Sequence, residues 1–241
     1  MNRLNALFSA NRGRGLPFQA RAQGDEMTLE VYDVIIASEA DAAWLGGGVG
    51  ADAFARAVRD FSGQRINIRV NSPGGDVFAG VAMAAAIRAS SAHVTVHVDG
   101  YAASAASLLV AAADKSVIAP GGMVMIHKAW TIAMGNADDM MATAGLLEKI
   151  DGELAGAYRE KAGDKEDWEA LMKAETWFTA DEAVTIGLVD EIAQRAEKPK
   201  ALAFDLSAYA NAPASKNSER PQADPEIERR KAKARLAALT I

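Results

Sequence analysis

"RINIRVNSPGGDVFAGVAMAAAIRAS", Arg65–Ser90, decides the fold class. "RINIRV" alternates apolar and polar residues, the period of a strand with one buried face. "NSPGGD" follows, with a proline and the paired glycines Gly74 and Gly75, which break both kinds of regular structure. "VFAGVAMAAAIRAS" then reads as a helix. The same form recurs downstream, where "HVTVHVDG" (His93–Gly100) is a second alternating strand and "AASAASLLVAA" a helix beginning near Ala102. Upstream, "MTLEVYDVIIAS" (Met27–Ser38) reads as a first strand and "GADAFARAVRDF" (Gly50–Phe61) as a helix. Strands alternating with helices imply βαβ units, a largely parallel sheet and an α/β fold.

Further along, "KSVIAPGGMVMIH" (Lys115–His127) reads as strand, turn and strand. "GNADDMMATAGLLEKIDGELAGAYREKAG" (Gly135–Gly163) reads as one long helix, with Asn136 as N-cap and Asp138 and Asp139 in its first turn. Leu147, Ile150, Leu154, Ala157 and Tyr158 form its apolar stripe. The flanks have a different texture. Residues 1–25 carry arginines and almost no acid, and their apolar core "ALFSA" is too short for a secretory signal. They read as a flexible basic arm, with removal as a propeptide the alternative. Residues 26–195 form the main domain. Residues 196–241 read as a polar linker, "ASKNSERPQADPE", ending in a short basic helix or tail, "IERRKAKARLAAL", whose functional reading is a docking helix for a partner.

Composition narrows the function classes. A formal net charge of -6 argues against broad electrostatic binding to nucleic acid. With 0 cysteines there is no disulfide framework, thiolate nucleophile or thiolate metal site, which fits a cytoplasmic setting. No apolar run reaches the roughly 20 residues of a membrane-spanning helix.

Two loops can carry chemistry. Glycines at the "NSPGGD" turn let another chain pass close by and leave amide N–H groups free to hold a developing oxyanion. In "GYAASAAS" (Gly100–Ser107) small residues surround Ser104 and Ser107, and the N–H of Ala105 lies next to the first. A serine hydroxyl needs a base before it attacks. Of the 3 histidines, His93 and His97 face the same side of a strand roughly 13 Å apart, too far to share a metal, and both read as structural or solvated. His127, at the end of "MVMI", can project from a rigid strand toward a cleft.

"VNSPGGD", "GYAASAAS", "MVMIH" and "WFTADEAVTIGLVDEI" (Trp177–Ile192), in this order and spacing, resemble the Clp protease proteolytic subunit. "RVNSPGGDVFAG" with "VDGYAASAAS" and "GNADDM" is most similar to the phage and prophage branch of that family, the head maturation proteases. The resemblance covers roughly residues 27–192 and implies a spiral of ββα units, shared with the crotonases, with a long protruding helix. It places the nucleophile on Ser104, the general base on His127, and the oxyanion donors on the amides of Gly75 and Ala105. Ser107 falls on no catalytic position. For the third member it points to Glu175, where the family usually has aspartate; Asp190 is the rival acid, otherwise a turn residue at a strand end.

The implied reaction is peptide hydrolysis through an acyl-enzyme, requiring no metal or organic cofactor. The resemblance further implies stacked homo-oligomeric rings, a polypeptide substrate such as capsid or scaffold protein, and, for a housekeeping Clp subunit, an ATPase unfoldase partner. No Gly-x-x-x-x-Gly-Lys loop is present, so ATP use would belong to that partner. Three other readings stay open. A crotonase-like acyl-CoA enzyme would share the glycine-loop oxyanion hole. A signal peptide peptidase A-like enzyme would use a lysine base, here Lys128, which points to the opposite strand face from His127. A catalytically idle assembly scaffold would need none of these groups.

Overall fold

The strand and helix of Arg65–Ser90 sit at the centre of a mixed sheet in the computed structural model, which describes residues 3–194 and 202–213. In chain order the elements are α1 (Arg3–Asn11), β1 (Gln19–Gln23), β2 (Glu26–Val31), β3 (Ile35–Ile36), α2 (Glu39–Leu45), β4 (Val49–Gly50), α3 (Ala51–Asp60), β5 (Arg65–Ser72) and α4 (Val77–Arg88). There follow β6 (His93–Ala103), a 3-10 turn (Ser104–Ala106), α5 (Ser107–Ala112), β7 (Lys115–Ile118), β8 (Met123–Ile126) and α6 (Ala137–Ala162). The last are α7 (Trp168–Lys173), β9 (Thr176–Thr179), α8 (Ala180–Thr185) and β10 (Glu191–Ile192).

The main sheet runs β1-β2-β5-β6-β7-β10, parallel throughout except for the antiparallel β1. Alternation decides which face is buried. Ile66, Ile68 and Val70 of β5 and Val94, Val96 and Val98 of β6 join one core with Phe54 of α3, Met83 of α4 and Leu109 of α5. Each such side chain contributes about 1.5–3 kcal/mol on burial. The opposite face carries Asn67, Arg69, Thr95, His97 and Asp99, so these parallel strands lack the continuous apolar runs of a sheet covered on both sides. Asp99 accepts from the Arg69 guanidinium and, at 2.5 Å, from the Tyr32 hydroxyl.

Strand β6 has two sets of partners. Thr95–Val98 pairs with β7, whereas Tyr101–Ala103 pairs with β8. The sheet therefore forks, and β8 with its antiparallel partner β9 forms a two-stranded branch. Helix α6 begins as its sequence dictates: the Asn136 side chain accepts from the amides of Asp138 and Asp139, and Asp139 accepts from the Asn136 amide. Only its second half is buried, through Asp151, Leu154, Ala155 and Tyr158, so the first half protrudes.

Three local expectations are corrected. Met27–Ser38 is not one strand but β2 and β3, separated at Tyr32–Val34. The helix expected near Ala102 starts later, because pairing with β8 holds β6 extended to Ala103. Residues 3–23 of the supposed arm form α1 and β1; β1 pairs with β2 across a turn at Gly24 (φ 59), and Leu7 and Asn11 of α1 are buried. The basic C-terminal helix candidate lies outside the described residues.

Candidate active site

Ser104 stands where β6 stops. Its φ is 53°, and only one other described non-glycine residue, Glu175 at 52°, has a positive φ. A left-handed non-glycine residue costs on the order of 1–3 kcal/mol and persists only when its surroundings enforce it. Here the enforcement is visible. Ala103 before it and Ala105 and Ala106 after it are buried, and the Ser104 carbonyl accepts from the Ser107 hydroxyl at 2.6 Å. Ser107 in turn shares a 2.7 Å hydrogen bond with the Tyr158 hydroxyl of α6. The second serine is thus fully committed to anchoring the turn.

His127 follows β8 directly. Ala103 is paired with Met125, so Ser104, one residue on, and His127, two residues on, leave the adjacent ends of the two parallel strands. Ser104 Oγ lies 2.6 Å from His127 Nε2. The imidazole is 7 % exposed and meets the rings of Trp130 at 4.4 Å and Tyr209 at 5.4 Å. Burial, with the nearby Arg3 charge, pushes its pKa down to about 4. The ring is therefore neutral at pH 7 and able to take a proton. Lys128 is engaged elsewhere, 3.3 Å from the Asp151 carboxylate. His97 lies 3.3 Å from Asn67 Oδ1 and His93 3.7 Å from Asp114, both outside this cluster.

Glu175 reaches the same corner from β9. Ile126 pairs with Thr176 in antiparallel register, which puts Glu175 opposite His127 one step further on. Its carboxylate is 8 % exposed, accepts from the Asn211 amide at 2.6 Å and lies 4.0 Å from the Arg3 guanidinium. Among the described residues no hydrogen bond joins it to His127. Asp190 has other duties: it accepts from the Ser116 amide at 2.6 Å and from Lys161 Nζ at 2.7 Å, tying β7 to α6. Partial burial opposes its charge, but those donors hold its pKa below the usual carboxylate value.

The glycine loop completes the site. Gly74 accepts from the Ile35 amide and Ile35 from the Asp76 amide, so β3 pins the loop. A Cβ on Gly74 (φ 88) would lie 2.5 Å from Ala103 O and 2.7 Å from Ser104 Cβ, and one on Gly75 (φ 151) 2.0 Å from Ile35 O. Only glycine fits this close approach. Gly75 and Ala105 line one small cavity together with Ser104 and His127. Val77, Leu108, Leu154 and Tyr158 form its apolar wall, and Leu4, Leu7 and Tyr209 close it. About 20 Å³ remains free, roughly the space of one water molecule.

Sequence reasoning named Ser104, His127, Glu175, Gly75 and Ala105, and all five meet at this corner. It missed Trp130, Arg3, Tyr209 and Asn211. The last two lie in a stretch read as linker, and no local pattern marks them. Among the described residues, no group of three His, Cys, Asp or Glu side chains is arranged to hold a metal ion. The arrangement can activate a hydroxyl for attack and offer amides to the oxyanion that results.

Comparison with known proteins agrees in fold and family. A family model described as Clp protease matches residues 59–196. Curated relatives called ATP-dependent Clp protease proteolytic subunit are 36 % identical over 134 residues in Bacteroides fragilis and 37 % over 134 residues in Bacteroides thetaiotaomicron. Each match covers 54 % of this chain, and 64 % and 60 % of the respective relative, so the chain spans less than two thirds of their length. Subunit 1 of the same enzyme from Chlamydia abortus is 36 % identical over 135 residues, 54 % of this chain and 70 % of that protein. The solved structure of a ClpP1 point mutant from Listeria monocytogenes superposes with a TM-score of 0.57 at 23 % identity, covering 70 % of this chain and 91 % of that one; this likeness concerns the fold.

Proposed function

Because the chain belongs to the Clp protease family, we propose that it is a serine endopeptidase in which Ser104 is the nucleophile and His127 its general base. The observation that carries this is the 2.6 Å contact between Ser104 Oγ and a buried, neutral His127. In the proposed cycle His127 takes the Ser104 proton as the oxygen adds to a peptide carbonyl. The amides of Gly75 and Ala105 hold the oxyanion, His127 returns the proton to the leaving amine, and water releases the acyl-enzyme. Glu175 is the acid that orients His127 and stabilises its cation. A fluorophosphonate probe tests this: it labels the wild type and not Ser104→Ala. Equal labelling of both would exclude Ser104.

Within that reading the substrate is polypeptide, and the role is processing of capsid or scaffold protein in a phage or prophage head, which the similarity of "RVNSPGGDVFAG" and "VDGYAASAAS" supports. The names of the curated relatives favour a second reading, a housekeeping cytoplasmic subunit fed by an ATPase unfoldase. Cleavage of a purified capsid precursor without nucleotide supports the first. Degradation of a folded reporter only with unfoldase and ATP supports the second.

Assembly into a homo-oligomeric ring is part of the proposal. Met140, Met141 and Leu146 on the protruding half of α6, with Phe78, Ile132 and Met134, are large apolar side chains left exposed. A second copy of the chain would cover them. Light scattering that finds a stable monomer at working concentration would overturn the ring.

A further inference from the structure

Residues 202–213 bring Tyr209 into the lining of the Ser104 cavity and contact His127, Glu175 and the start of the glycine loop. Tyr209 is 4 % exposed, its ring against His127, Trp130 and Trp177 and its hydroxyl donating to Pro73 O, next to the glycine loop. Ser104 is a further hydrogen-bond neighbour of the same phenol. Two residues on, the Asn211 amide occupies Glu175 Oε1, and its side chain donates to Ala174 O at 2.7 Å. The Leu202 carbonyl accepts from Asn71.

A latch holds this strap down. Asn11 of α1 donates to Asp205 O at 2.9 Å and accepts from Asp205 N at 2.7 Å, a two-way bond from a fully buried side chain. Leu7, Phe204, Leu206 and Tyr209 form a small apolar cluster with Ala103 and Met125, separate from the main core. The fit has a cost: the Trp177 indole N–H in this cluster is buried without an acceptor among the described residues, a penalty of the kind that opening relieves.

We propose that residues 202–213, latched by α1, are an intramolecular plug seated where a substrate peptide must lie, so that this conformation is a latent form of the enzyme. The proposal rests on the protease reading of Ser104 and His127. With room for about one water beside Ser104, no side chain of a bound peptide can enter until the strap and α1 withdraw. Withdrawal also frees Glu175 from the Asn211 amide, leaving its carboxylate available to its neighbour His127. Opening thus exposes the nucleophile and releases the orienting acid in one motion.

The test uses the full chain with Asn11→Ala, which cuts the latch, Tyr209→Ala, which removes the plug, and Asn211→Ala, an exposed position that leaves the core intact. Two rates are read: fluorophosphonate labelling of Ser104, and amide exchange of residues 202–213 against that of β5 and β6. Asn11→Ala and Tyr209→Ala are expected to speed both labelling and strap exchange by roughly 5- to 30-fold, with β5 and β6 unchanged. Asn211→Ala gives a smaller gain of the same sign, and excess synthetic peptide of residues 202–213 slows the opened forms again. A wild type that labels readily, at a rate within about twofold of variants whose straps exchange faster, overturns the plug alone. Absence of labelling in every form, despite an open strap, overturns both the plug and the protease reading beneath it.

Discussion

The chain makes two strand-to-helix turns side by side, Asn71–Val77 and Ala103–Ser107, and handles backbone strain in opposite ways. In the first, both positive-φ positions are glycine, so the turn is relaxed and presents bare backbone. In the second, the positive-φ position is Ser104, where glycine would fit with less strain. In the proposed mechanism the first turn needs only amides, whereas the second needs a side chain at that point. Strain is retained where a hydroxyl must project and absent where it need not. Glu175 is the other retained case, at the matching corner of β9.

The strongest way to break this contrast is to exchange the two solutions. Ser104→Gly and Ser104→Ala are both expected to abolish probe labelling, by on the order of 10³-fold or more. Yet Ser104→Gly should be more stable than Ser104→Ala by about 1 kcal/mol in urea denaturation, since only glycine relaxes φ 53. Equal stabilities would show that the turn carries no strain. The reverse exchange, Gly75→Ala, places a methyl 2.0 Å from Ile35 O and should cost about 2–4 kcal/mol along with most of the labelling. A variant of wild-type stability would mean that β3 does not pin the loop.

Protonation sharpens the contrast next, because the second turn faces His127, whose charge changes between its ordinary value and about 4. Unfolded His127 titrates near its ordinary value of 6.5 and folded His127 near about 4. Between these values the unfolded chain binds the extra proton, so stability falls as pH drops through the window, by up to about 3 kcal/mol. Labelling should accordingly hold between pH 8 and about 5 and be half lost near 4. Arg3→Gln, which removes a neighbouring positive charge, should shift that midpoint upward. The smallest effect belongs to the first turn: Asp76→Ala removes the side-chain acceptor for the Ala79 amide at the start of α4, costing about 1 kcal/mol without moving the pH profile.

Much of this was legible in the sequence because it is local. Alternation in "RINIRV" and "HVTVHV" names the buried face, and Asn136 with Asp139 marks the start of α6. The glycine loop and the small residues around Ser104 declare a close approach of two backbones. The extent of β6 was not legible, since Ala102 and Ala103 are helix formers by propensity and only the register with β8 keeps them extended. Nor was the strap. "LAFDLSAYANA" has no strong period, and its order comes from residues nearly two hundred positions away, such as Asn11 with Asp205. Glu175 was named by resemblance, but its contact with Asn211 depends on that same distant segment.

The fork in β6 has a mechanical consequence. Ser104 is carried by the main sheet, whereas His127 and Glu175 ride together on the β8–β9 ribbon, whose strand pairing to that sheet runs through Tyr101–Ala103 and whose Val124, Ile126 and Phe178 pack into the shared core. Ser104 and His127, the proposed nucleophile and base, therefore sit on two branches of one sheet that share a short seam. A small rotation of the ribbon about that seam changes the distance from Ser104 to His127 while leaving His127 and Glu175 side by side. The separation of Ser104 Oγ and His127 Nε2 is a gauge of the angle between the branches.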